Sequence, residues 1–332
     1  MLDLAVVGAG PCGLATGIAA RRAAVTCTLF DRGCVVSSIS RYPTHMTFFS
    51  TPDRLEIGGV PFVVVGDKPN RREVLRYYQR LAREFELDVH QYEDVVAIER
   101  LAGTFLLMTR TVNGAERQYA ARNVVIATGY FDAPNRLGVP GEDLPKVAHS
   151  YREGHVFYDQ DVVVVGGGNS AVDAALELYR WGARVTIVHF AEALDPNVKP
   201  WVRPDIEARL REGAVQARFR SRVAAIGPDS VRIARAHEPA EELANDFVLA
   251  MTGYTPDGAL LRSLGVAFDA VTGIPRHDPD TMQTNMSGVF IAGVLSAGFD
   301  ANKVFIENGR GHGERIVRAV AGRQVDPQEP AG

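Results

Sequence analysis

Three apolar, β-branched runs punctuate the chain, and each breaks into a glycine-rich segment. Residues 4–7 read as a strand that ends at Gly8. The alanine-rich stretch 13–22 then predicts a helix, and 25–30 predicts a second strand, so the opening is a βαβ unit. The order repeats further on, with a strand at 162–165 before Gly166, a helix at 170–181 and a strand at 184–189. The third run, 289–292, leads through Gly293 and Gly298 into an expected helix at 302–320. Between the two βαβ units the pattern predicts a helix at 71–86 and strands at 95–98, 104–111 and 124–127. The proline and glycine cluster at 133–145 reads as a crossover linker. The order implies one domain inserted into another, with residues 146–255 set inside 1–145 and 256–332, and a polar tail after Arg323.

Composition narrows the setting. At 332 residues the chain is long for one core, and its 46% hydrophobic and 23% charged residues are ordinary for a globular protein. A net charge of -4 with scattered basic residues disfavours nucleic acid and anionic membrane as partners. No apolar run approaches the roughly 18 residues of a membrane span, and the N-terminus lacks the basic leader and cleavage site of a signal peptide. The three cysteines, Cys12, Cys27 and Cys34, form no CxxC pair. They suit a reducing cytoplasm and give no disulfide framework, and no metal site is expected.

The chemistry sits where strand meets glycine. Gly8, Gly10 and Gly13 form GxGxxG between a strand and a helix, with Pro11 inside the motif. The first glycine permits the tight turn, the second lets a pyrophosphate approach the backbone, and the third allows close helix packing. The helix N-terminus adds N–H donors and the positive dipole end. Asp31 closes the second strand, where a carboxylate accepts hydroxyl hydrogens of an adenosine ribose. Gly166, Gly168 and Ala171 repeat the fingerprint as GGGNSA, with Asn169 and Ser170 between them. Its strand ends in His189 instead of an acid, which leans towards NADPH because a carboxylate would repel a 2′-phosphate. Lys199 and Arg203 either supply positive charge to that phosphate or form a solvated basic face. Together these motifs predict an α/β protein with two Rossmann-like dinucleotide-binding domains.

Thr128-Gly129 and Thr252-Gly253 each follow an apolar strand and supply two further turns. With the paired fingerprints, the chain resembles the thioredoxin-reductase-like pyridine-nucleotide flavoproteins, which implies FAD on the first loop and NADPH on the second. Residues 42–51 (YPTHMTFFST), Leu55-Glu-Ile-Gly-Gly59, Lys199-Pro-Trp201 and Phe305-Ile-Glu-Asn-Gly-Arg310 resemble the bacillithiol-disulfide reductase (YpdA-type) family. The positions of the thioredoxin reductase dithiol hold His149 and Arg152, so no dithiol relay forms. The Gly-Asp that usually holds the FAD ribitol reads Gly293-Val294.

The resemblance further implies a low-molecular-weight thiol disulfide as the substrate of a homo-oligomeric enzyme, and Cys12 as the thiol that exchanges with it. A plain alternative is that Cys12 fills the space of an alanine. The helix dipole lowers its pKa and a pyrophosphate raises it, leaving its reactivity open. Phe48, Phe49 and Thr51 fall where related flavoproteins pass the flavin ring, or in a core. Lys303 and Val304 open the last expected helix, with N–H groups towards the flavin pyrimidine or with no role beyond a helix start. Rival readings are a flavin monooxygenase, whose linker motif His149-Ser150 faintly resembles, a ferredoxin or flavodoxin reductase, and a redox sensor without turnover.

Overall fold

The computed structural model describes residues 1–131, 133–236, 238–300 and 303–324. In chain order the strands among these residues are β1 (Leu2–Val7), β2 (Cys27–Asp31), β3 (Asp88–Gln91), β4 (Glu93–Leu101), β5 (Thr104–Thr111), β6 (Glu116–Ile126), β7 (Val147–Ala148), β8 (Asp161–Val165), β9 (Arg184–Val188), β10 (Val215–Arg218), β11 (Ser221–Ile226), β12 (Ser230–Arg235), β13 (Glu241–Ala244), β14 (Phe247–Ala250) and β15 (Val289–Ile291). The chain divides into two compact units. None of the described helices is long and apolar enough to cross a membrane.

The first unit comprises Met1–Arg41, His45–Ala133 and the chain from Thr255 on. Its sheet runs β3-β2-β1-β6-β5-β4, with β15 also on β6. The long β6 serves three partners: Val124 to Ile126 pair in parallel with β1 and β15, and its earlier residues pair antiparallel with β5. Val7, Ile126 and Ile291 are in register, so the glycine turns that follow these three strands emerge at one edge of the sheet. Helix Pro11–Arg22 starts on proline, whose fixed φ suits the first turn, and ends on Arg21 and Arg22, which complement its dipole. Helix Arg71–Glu84 begins in a capping box: Asn70 accepts from the Glu73 N–H at 3.0 Å and Glu73 from the Asn70 N–H at 2.8 Å.

The expected helix at 302–320 is broken in two. Asn302 lies outside the described residues; a single turn, Ile306–Gly309, precedes helix His312–Gln324. The break falls at Arg310, whose guanidinium donates to the carbonyls of Asp53 and Glu56 at 2.6 and 2.8 Å. The polar tail lies beyond Gln324, outside the described residues.

The second unit comprises Tyr42–Thr44 and Pro134–Tyr254. A parallel sheet, β10-β9-β8-β14-β7, is accompanied by an antiparallel sheet, β11-β12-β13. Alternation explains the unbroken valine run: Val162 and Val164 enter one core with Val172, Ala175 and Ile187, and Val163 and Val165 enter another with Val223, Val231 and Ile233. Val165 pairs with Val188 and Ala250, which again brings three strand ends to one edge. The stretch at 133–145 is more than a linker. Glu142 accepts the N–H groups of Leu137 and Gly138 at 2.7 and 2.8 Å, and the Ile226 N–H donates to the Pro140 carbonyl at 2.9 Å. It enters the second unit at Pro134, ahead of the expected boundary at 145.

Candidate dinucleotide sites

In the first unit, Gly8 has φ +111° and leaves no room for a side chain, since a Cβ there would lie 2.4 Å from the Ala127 carbonyl oxygen. At Gly13 a Cβ would lie 1.9 Å from the Gly8 oxygen. Gly10 differs: nothing lies within 4 Å of the Cβ it would carry. It caps a helix that has no side-chain cap and no acid in its first turn, so its open face suits an approaching diphosphate. The neighbouring turn adds Thr128, whose hydroxyl is buried with no hydrogen-bond partner among the described residues, and Gly129 at φ +73°. Asp31 buttresses the loop itself, because one carboxylate oxygen accepts the Ala9 N–H and the other the Gly33 N–H, both at 2.8 Å.

The second unit repeats this plan. Gly166 has φ +140°, and a Cβ there would lie 2.4 Å from the Met251 oxygen and 3.2 Å from Ala171 Cβ. Gly168 caps helix Asn169–Arg180 with open space before it and no acid in the first turn. Gly167, which sequence reasoning passed over, is required by His189: a Cβ would lie 2.5 Å from the imidazole. Burial lowers the His189 pKa, so the ring is neutral and packs on the turn. Thr252 and Gly253 are tied to Asn135, through the Thr252 hydroxyl to its carbonyl and through its N–H to the Gly253 carbonyl at 2.9 Å.

Two expected phosphate ligands are otherwise engaged. Lys199 Nζ is 2.6 Å from Asp173, and its backbone N–H donates to Asn169 Oδ1 at 2.9 Å. Arg203 donates to the Asp195 carbonyl at 2.6 Å and pairs with Glu207 at 3.2 Å. With the Asp195 N–H donating to the Gly167 oxygen at 2.9 Å, they clasp the loop at 190–202 onto the fingerprint. In the structure both residues hold this loop through those bonds.

The segments flanking 50 and 307 come together in the first unit. Ser50 and Arg54 both reach Glu307, and Arg310 reaches Asp53 and Glu56. Glu307 and Arg310 lie within a family-resembling block, yet the sequence alone assigns neither a role. Phe48 is buried and Phe49 is 60% exposed beside the Lys68 ammonium, while Thr51 caps the short helix Pro52–Leu55. Lys303 and Val304 lie outside the long last helix, His312–Gln324. They precede the turn at Ile306, where the Lys303 carbonyl accepts from Asn308 at 2.8 Å.

Cys12 is set against glycine backbone. Its Sγ is 3.1 Å from where a Gly293 Cβ would stand and 2.9 Å from the corresponding point at Gly309. Burial pushes the thiol up to about 12, so desolvation outweighs the helix dipole. The residue as a whole is half-buried, and a thiol that stays protonated near neutral pH weighs against the implied exchange role, which stands as a proposal. In the folded protein, iodoacetamide should leave Cys12 unmodified at pH 7.5 and label it faster only as pH approaches 12. Rapid labelling at pH 7.5 would favour the exchange role.

A sequence profile described as pyridine nucleotide-disulphide oxidoreductase matches residues 5–293. Bacilliredoxin reductase Bdr of Bacillus subtilis (strain 168) is 43% identical over 320 residues, covering 96% of this chain and 97% of that protein. Among solved structures, the bacillithiol disulfide reductase Bdr (YpdA) from Bacillus cereus superposes with a TM-score of 0.95 at 43% identity, over 97% of this chain and 99% of that one. The same enzyme from Staphylococcus aureus gives 0.92 at 38% identity, over 97% and 99%. The chain therefore belongs to the pyridine nucleotide-disulphide oxidoreductases, within the Bdr (YpdA) family.

Proposed function

We propose that this protein is an FAD-dependent NADPH oxidoreductase that reduces bacillithiol disulfide. What carries the reading is that both glycine turns present an open face at an acid-free helix N-terminus, while the described cysteines are all unpaired. Bound FAD supplies the two-electron relay, and the overall reaction converts NADPH, a proton and one disulfide into NADP+ and two thiols.

The chain's own residues bind and orient. The turn at Gly8 to Gly13 and the orphan hydroxyl of Thr128 would hold the FAD diphosphate end, with Asp31 fixing the loop. The turn at Gly166 to Ala171 would hold the NADPH diphosphate, with Asn169 fastening the loop at 190–202 beside it. His149 and Arg152 stand at the dithiol positions, so the substrate disulfide would take its electrons at the flavin without a CxxC relay.

The test is NADPH oxidation by the FAD-loaded protein against a panel of acceptors. Bacillithiol disulfide should give the highest specificity constant. Preference for oxygen with an oxygenated product, for ferredoxin or flavodoxin, or no steady-state oxidation with any acceptor, would each overturn the proposal in favour of a different activity.

A further inference from the structure

The turn between β10 and β11 is bonded directly to the chain leaving β9. The His189 N–H donates to the Arg218 carbonyl at 3.0 Å, the Ser221 N–H to the His189 carbonyl at 3.0 Å, and the Arg220 N–H to the Ala191 carbonyl at 2.8 Å. Three arginines are thereby gathered at the end of β9, where a dinucleotide fold places the adenosine ribose. Arg218 is taken by Glu241 at 3.0 Å and Arg220 by Glu192 at 2.8 Å. Arg222 has no carboxylate partner among the described residues; its guanidinium lies 4.8 Å from the centroid of the Phe190 ring, itself 60% exposed. Asp195, an acid that acts electrostatically on His189, accepts the Asn197 N–H of its own loop at 2.8 Å.

Resting on the NADPH reading above, we propose that Arg222, stacked on Phe190 at the carboxyl end of β9, receives the 2′-phosphate of NADPH, the role expected of Lys199 and Arg203. The ring holds the planar cation in place before the ligand arrives, and a phosphate offers the guanidinium two oxygens in a matching fork. Neutral His189 stands in place of the strand-end acid, and the nearby carboxylates of Glu241 and Glu192 are paired with Arg218 and Arg220.

The experiment is calorimetric titration of the FAD-loaded protein with 2′,5′-ADP and with 5′-AMP, which differ by the phosphate in question. The wild type should prefer 2′,5′-ADP by roughly ten- to hundredfold. Arg222→Ala should abolish that preference with 5′-AMP affinity and the flavin spectrum unchanged, and Arg222→Lys should restore part of it. Discrimination that survives in Arg222→Ala would overturn this assignment while leaving the NADPH reading intact. A wild type that binds both nucleotides equally would overturn the NADPH reading and this assignment together.

Discussion

Replacing Gly10 by alanine should yield a folded protein that has lost its flavin, whereas the same change at Gly168 should leave the protein yellow but slow to accept electrons from NADPH. Both glycines have ordinary negative φ, -73° and -88°, and no atom lies within 4 Å of the point where either would carry a Cβ, so alanine costs the unliganded fold little. The methyl would instead occupy the face on which a diphosphate must lie. A rise of about a hundredfold in the dissociation constant of the relevant nucleotide, about 3 kcal/mol, is the expected size. Flavin absorbance of the purified variants and anaerobic stopped-flow reduction by NADPH measure the two effects separately. Gly13→Ala and Gly166→Ala make the contrast, because there the methyl meets carbonyl oxygen at 1.9 and 2.4 Å and the fold itself must give way. Normal flavin content in Gly10→Ala, or normal reduction in Gly168→Ala, would contradict the assignment of the turns.

Stability should fall between about pH 6.5 and pH 4 through His312. This ring is buried at the start of the last helix, and its Nδ1 accepts the Gly293 N–H at 3.1 Å, which only the unprotonated nitrogen can do. Burial, helped by Arg315 and His277, lowers its pKa from 6.5 to about 4. Within that window the unfolded chain binds the proton and the folded chain does not, so folding is penalised as pH drops and the effect vanishes above it. The full difference is about 3 kcal/mol. Urea unfolding of the FAD-loaded protein at several pH values measures it against His312→Gln, whose amide oxygen can still accept from Gly293. The wild type should lose up to about 3 kcal/mol more than the variant on going from pH 7 to pH 4. Parallel curves would show that His312 is not the group responsible.

The strand-glycine-helix units were legible because each signal is local: a run of β-branched residues, a tight turn and an alanine-rich helix follow within a few residues of one another. The valine run at Asp161–Val165 was legible for the same reason, since both of its faces enter a core. Longer-range dependences were not. Cys12 reads in sequence as a thiol at a helix N-terminus, and what raises its pKa is backbone from Gly293 and Gly309 at the far end of the sequence. Lys199 and Arg203 are the nearest basic residues in sequence after His189 and each has a carboxylate partner, whereas Arg222, brought back by a turn beyond β10, lies over the Phe190 ring. The strands β11 to β13 went unread, being short and rich in arginine and glutamate, so their apolar alternation is carried by two or three residues each. The unbroken helix expected at 302–320 passed over Gly309, Gly311 and Gly313 around the break, where Arg310 also donates to the carbonyls of Asp53 and Glu56.

The central claim is that electrons from NADPH pass through the flavin to a low-molecular-weight disulfide. It is tested most directly by counting products: FAD-loaded protein, NADPH and bacillithiol disulfide are mixed without oxygen, and released thiol is measured against NADPH consumed. Two thiols per NADPH, with no thiol released when the flavin is removed, is the predicted result. Consumption of NADPH without release of thiol would contradict it.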